Sequence, residues 1–137
     1  MTSKLNEKLC EECWGANLEK TVECLDQGAD PNLMDNWGFT PLMLAAEACS
    51  FPIVKILVDR GAEINFYSES RGRSALLSAV ITMDGLSDIV KFLIDEGADI
   101  YVTDKEGKSI WDFTPGEEYK EELREYISKV SFVEESD

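Results

Sequence analysis

Apolar residues along this 137-residue chain come in short blocks of helical spacing, separated by polar turns that carry glycine, asparagine or aspartate. The densest block, Ile53, Val54, Ile56, Leu57 and Val58, is too apolar for a helix with a free face and needs neighbours on more than one side. A helix is expected from Pro52 to Arg60, with Pro52 in its first turn and Ser50 ahead of it as a start signal. Another is expected from Thr40 to Ala48. Thr40 has the hydroxyl of an N-cap, and Pro41 sits at the first helical position, where a missing N–H costs nothing. Leu42, Leu44, Ala45 and Ala46 then give a small apolar face on which backbones can approach closely. The same reading places helices over Leu5–Trp14, Leu18–Gln27 and Asp88–Asp95, the last capped by Ser87. A final helix is expected over Glu117–Lys129, with Tyr119, Leu123, Tyr126, Ile127 and Val130 at core spacing. Gly28, Gly61 and Gly97 each close an apolar helical run, where a left-handed residue is wanted. They are read as helix stops and not as phosphate loops.

These elements recur. Gly28-Ala29-Asp30 returns as Gly61-Ala62-Glu63 and as Gly97-Ala98-Asp99, at offsets of 33 and 36 residues. Trp37-Gly38-Phe39-Thr40-Pro41-Leu42 returns as Arg71-Gly72-Arg73-Ser74-Ala75-Leu76 and, more worn, as Glu106-Gly107-Lys108-Ser109-Ile110-Trp111. A period near 33 with a Thr-Pro-Leu element marks a helical-pair repeat. The stretch from Gly28 to Ala46 closely resembles the ankyrin repeat: Gly-Ala-Asp-x-Asn, a glycine-containing turn, Thr-Pro-Leu-x-x-Ala-Ala, then Ile-Val-x-x-Leu before the next Gly-Ala. The resemblance implies an all-α ankyrin-repeat solenoid of about four helix-turn-helix repeats joined by finger loops. The repeats fall at about 1–33, 34–66, 67–103 and 104–130, in a single domain over 1–130, and 131–137 is expected to be a disordered acidic tail.

The end repeats are expected to act as caps, since their outward charges can wet the ends of a stack. Lys4, Glu7, Lys8, Glu11 and Glu12 do this at one end, and the glutamates of 117–129 at the other. Two departures fall on loops, which absorb insertions better than stacked helices do: one extra residue around Ser68–Arg71, and two between the helices near Thr82–Leu86. Pro115-Gly116 should shorten the first helix of the last unit.

Charge narrows the function. With 28 acidic and 13 basic residues the formal charge is −15, so contact with nucleic-acid phosphates would begin in repulsion. A basic protein partner is favoured instead, with rates that fall as salt rises. No run at the start has the length of a signal peptide, and none elsewhere approaches a bilayer span. A cytoplasmic monomer away from membranes is expected. Four cysteines are too few and too clustered to staple the chain, which also suits a reducing compartment.

Catalysis finds little support, because the chain has no histidine and no nucleophile with its partners. The carboxylate pairs Glu11-Glu12, Glu117-Glu118 and Glu121-Glu122 read as solvated helix faces. Cys10, Cys13, Cys24 and Cys49 could be taken for a zinc set. The repeat register instead gives Cys13 an alanine position and Cys24 a leucine position, both in the core, and Cys49 the turn where the repeat has glycine. No metal, cofactor or enzymatic activity is expected. Asn32 and Asn65 are expected to hydrogen-bond the finger backbone, and Tyr101 breaks that pattern in the third copy.

The resemblance points to the fingers and the first helix of each pair as the binding face. Asn36, Trp37 and Phe39 stand at finger positions that project from the scaffold. Trp37 is read either as an interface anchor or as a ring folded back over a neighbouring finger. Arg71, Arg73, Lys105, Glu106 and Lys108 continue along the fingers, and Glu47, Ala48, Ile81 and Thr82 along the helices, giving aromatic anchors with mixed charge. The expectation is a non-enzymatic protein-binding module. Small size and acidity sharpen it to an inhibitor or immunity-type protein for a basic toxin or nuclease; the alternative is an adaptor that links partners without inhibiting them.

Overall fold

The computed structural model describes residues 2–83 and 86–135. Eight helices follow one another there: α1 (Thr2–Trp14), α2 (Leu18–Asp26), α3 (Pro41–Glu47), α4 (Phe51–Asp59), α5 (Ala75–Met83), α6 (Asp88–Asp95), α7 (Ile110–Phe113) and α8 (Gly116–Glu135). Local chemistry sets their ends. Thr40 Oγ1 accepts from Met43 N at 3.2 Å, Ser87 Oγ from Val90 N at 3.2 Å, and Asn17 Oδ1 from Lys20 N at 3.1 Å. Ser109 and Asp112 form a reciprocal capping box at the start of α7. Ser50 occupies the N-cap of α4, but its side chain makes no capping bond.

Gly28, Gly61 and Gly97 end the second helix of the first three pairs with φ of 101°, 97° and 97°, a region closed to most side chains. The first helices of the two leading pairs end differently. Ala16 and Cys49 hold φ of 57° and 59° at those turns, so two residues with a Cβ sit where glycine would be relaxed. Cys49 does stand in the glycine-like turn that the register assigns it. Pro115 confines α7 to four residues. Beyond it α8 runs to Glu135, past the Lys129 where its end was expected, with neither glycine nor proline after Gly116 to stop it. The inter-helix insertion is expected near Thr82–Leu86, and Asp84 and Gly85 of that stretch lie outside the described residues.

Packing follows the repeat. α1, α3, α5 and α7 touch in sequence to form one row, and α2, α4, α6 and α8 form a second row behind it. Within the first three pairs the two helices pack on each other. The core between the rows holds Leu9, Leu42, Ile53, Val54, Leu57, Leu76, Leu93, Ile110 and Leu123, all buried. Burying such aliphatic side chains contributes about 2 kcal/mol each, which offsets the chain entropy lost on ordering. Tyr126, Ile127 and Val130 pack partly against this core, while Tyr119 is exposed. Cys10, Cys13 and Cys24 are buried; desolvation pushes the Cys10 and Cys13 thiols up to about 12. Neither thiol is ionised near neutrality. No helix among the described residues is long and apolar enough to cross a membrane.

Asparagine side chains tie successive pairs together. Asn32 Nδ2 donates to Gly61 O at 3.1 Å while its Oδ1 accepts from Glu63 N at 2.7 Å. Asn65 repeats this on Gly97 O and Asp99 N. The expected partner was the finger; the actual partner is the helix stop of the following pair, some 30 residues away. Asn6, on α1, supplies the corresponding acceptor to Asp30 N at 2.8 Å.

Candidate functional site: two hollows under the fingers

Each finger is closed by one backbone pair. Asp35 N donates to Phe39 O and Asp104 N to Lys108 O, both at 2.8 Å, whereas Ser68 N reaches Arg73 O at 2.8 Å across one more residue. That residue is the insertion expected at Ser68–Arg71. Asp35 Oδ1 accepts from Trp37 N and Phe39 N at 2.9 Å each, and Asp104 treats Glu106 N and Lys108 N in the same way. The fingers also bind each other. Ser68 Oγ donates to Gly38 O at 2.6 Å, and Lys105 Nζ to Ser70 O at 2.9 Å.

This framework separates the two finger aromatics. Trp37 is 70% exposed and does not fold back on a neighbouring finger. Phe39, expected to project beside it, is half-buried against the core, because Arg71 of the next finger lies over its ring at 4.5 Å from the centre. Asn36 is exposed.

The nine residues singled out from the sequence fall into two groups. Asn36, Trp37, Phe39 and Glu47 line a hollow of about 410 Å³ together with Glu7, Cys10, Glu11, Trp14, Asp35 and Leu44. Arg71, Arg73, Ile81, Lys105 and Lys108 line a second, of about 360 Å³, with Gly72, Asp104, Glu106 and Phe113. One ion pair joins them: Glu47 accepts from Arg73 Nη1 at 3.4 Å and, through its other oxygen, from Ser78 Oγ at 3.0 Å. Ala48 and Thr82 line neither hollow, and Thr82 Oγ1 is spent on Ser78 O of its own helix.

The hollows differ in electrostatics. Four carboxylates and no cation border the first. Asp35 is used in its finger turn and Glu47 by Arg73 and Ser78, but Glu7 and Glu11 have no hydrogen-bond or ion-pair partner among the described residues. Burial, followed by Asp35, Glu11 and Glu7, holds the Cys10 thiol at about 12, so it senses the negative field of this hollow. Four cations border the second, and each is occupied: Arg71 by Phe39, Arg73 by Glu47, Lys105 by Ser70 O, and Lys108 by Glu106 at 3.6 Å.

Trp14, 59% exposed, was missed from the sequence, as were Glu7, Glu11 and Phe113. The signal was present for Trp14. It stands 33 residues before Glu47, which stands 34 before Ile81, so all three hold one register position on successive first helices. Glu7, Cys10, Glu11 and Trp14 occupy a single helical face at spacings of three and four. Such a surface can hold side chains of a partner; among the described residues no histidine, cysteine or carboxylate cluster is arranged to hold a metal ion.

Comparison with known proteins agrees with this architecture. A family model described as "Ankyrin repeats (3 copies)" matches residues 10–104. The chain is 37% identical over 99 residues to "Ankyrin repeat and SAM domain-containing protein 6" of Rattus norvegicus, covering 70% of this chain and 11% of that protein. It is 37% identical over 101 residues to "Ankyrin repeat, SAM and basic leucine zipper domain-containing protein 1" of Carollia perspicillata, covering 72% and 21%. Against the "Transient receptor potential cation channel subfamily A member 1 homolog" of Caenorhabditis elegans it is 31% identical over 107 residues, covering 78% and 8%. The chain therefore spans only a small part of the length of each relative. With paired helices and stacked fingers, and with the family model matching residues 10–104, the chain belongs to the ankyrin repeat family, whose members serve as protein–protein interaction modules.

Proposed function

We propose that this chain binds a protein partner on the face formed by the fingers and the first helices, with Trp37 and the acidic hollow beside it as the principal contact. The observation that carries the reading is the large exposure of Trp37 and Trp14 beside glutamates that have no partner of their own. An exposed indole held by a rigid turn loses little entropy on binding and buries a large area. A partner with a basic surface suits the hollow and the charge of −15. Where that surface is also the partner's working surface, as in a nuclease or a basic toxin, covering it inhibits.

The reading is tested by affinity capture from the native source, followed by association kinetics on the captured partner. The association rate should fall steeply as salt rises, and Trp37→Ala should weaken the complex about 30-fold. Rates indifferent to salt together with an unchanged affinity would remove both steering and anchor. A second reading is favoured by the opposite charge of the neighbouring hollow: an adaptor that holds a second, acidic partner through Arg71, Arg73 and Lys108. Simultaneous capture of two proteins, with neither inhibited, selects it.

A further inference from the structure

We infer that the first hollow is a socket for one arginine side chain of the partner, with the guanidinium against the indoles of Trp14 and Trp37 and in reach of the Glu7 and Glu11 carboxylates. This rests on the reading of the face as a protein-binding surface and gives its contact a chemistry. Two exposed indoles border a concave space of about 410 Å³, larger than one side chain needs, so a long side chain can enter without displacing the scaffold. Glu7 and Glu11 stand one turn apart on the α1 face that lines the space. Neither is neutralised within the described residues. An apolar side chain would leave both carboxylates facing it, and an acidic one would add repulsion. Among cations, guanidinium is planar, stacks on aromatic faces, sheds its hydration more readily than ammonium and offers paired donors to carboxylates.

The neighbouring hollow sharpens the choice. Its four cations are already engaged by Phe39, Glu47, Ser70 and Glu106, so an incoming anion must compete with contacts in place. In the first hollow, the uncommitted charge is negative.

The test uses the intact chain and the indole N–H signals of its three tryptophans in a two-dimensional NMR titration. Trp111, half-buried under Arg124 at 5.7 Å, serves as an internal control. Probes are L-arginine amide, L-lysine amide and L-citrulline amide, whose urea side chain is the neutral isostere of guanidinium. Arginine amide should shift the Trp14 and Trp37 signals saturably with millimolar affinity and leave Trp111 in place, while citrulline amide should shift none of the three. Lysine amide should bind several-fold more weakly. Glu7→Gln combined with Glu11→Gln should reduce arginine affinity several-fold; Glu118→Gln with Glu122→Gln, equal in charge change but on α8, should not. All four glutamates are partly or fully exposed, so both variants should fold. No saturable shift, an equal response to citrulline or lysine amide, or equal losses in the two double variants each overturns the assignment. A chain that still captures a protein through Trp37 but ignores arginine amide loses this inference alone.

Discussion

At the residue scale, Trp37 and Phe39 are two positions apart and should fail in different ways. Trp37 is 70% exposed, so Trp37→Ala should leave the urea midpoint nearly unchanged while it costs about 2 kcal/mol of partner binding. Phe39 is packed on the core beneath Arg71, so Phe39→Ala should destabilise the fold by about 2 kcal/mol. Cys49 holds φ of 59°, and Cys49→Gly should raise stability by about 1 kcal/mol in chemical denaturation. Titration gives a further expectation. The Cys10 and Cys13 thiols are moved from 9.0 to about 12 chiefly by desolvation. The Tyr126 hydroxyl, desolvated and donating to Asp95 at 2.5 Å, is moved from 10.0 to about 12. All three raised groups bind their protons more tightly in the folded state. Their contribution is whole below pH 9 and is lost as pH rises through 9 toward 12. Urea midpoints should fall progressively over that window, and Tyr126→Phe should flatten the upper part of the fall.

At the element scale, the fingers act as a stacked set. Gly72 and Gly107 both have positive φ, 66° and 82°, so an alanine at either costs about 1 kcal/mol in backbone strain. A Cβ on Gly72 would also meet Lys105 Cγ at 2.8 Å and its backbone N at 3.2 Å, whereas one on Gly107 meets nothing. Gly72→Ala should therefore lower the melting temperature clearly more than Gly107→Ala, by thermal unfolding of both. The helices of this stack were legible where a cap, a stop or an apolar stripe lies within a few residues of the chain: Thr40 with Pro41, Ser87, and the three stop glycines. Contacts between repeats were less legible. Nothing local says that Arg71 will cover Phe39, or that Asn32 will reach Gly61, since both depend on how one finger rests on the next. Trp14 differs, because its register with Glu47 and Ile81 was available; the worn first repeat, without a finger to mark its start, hid it.

At the scale of the whole molecule, charge and connectivity govern different properties. An excess of 15 negative charges, with an acidic hollow at one end of the face and a basic one further along, should speed encounter with a basic partner and orient it. Raising salt well beyond the physiological range should slow association by about tenfold or more and change dissociation little, as stopped-flow kinetics can measure. Connectivity is set by nearest neighbours, as in any stack of repeats. Asn6, Asn32 and Asn65 brace the successive helix stops, but the position that would continue the series holds Tyr101, which is 81% exposed. α7 and α8 are held to the rest by side-chain packing and by the Tyr126 to Asp95 bond. Pulled from its C-terminal end, the molecule should surrender in order, with the last pair peeling away at low force and the three braced pairs resisting until a higher one.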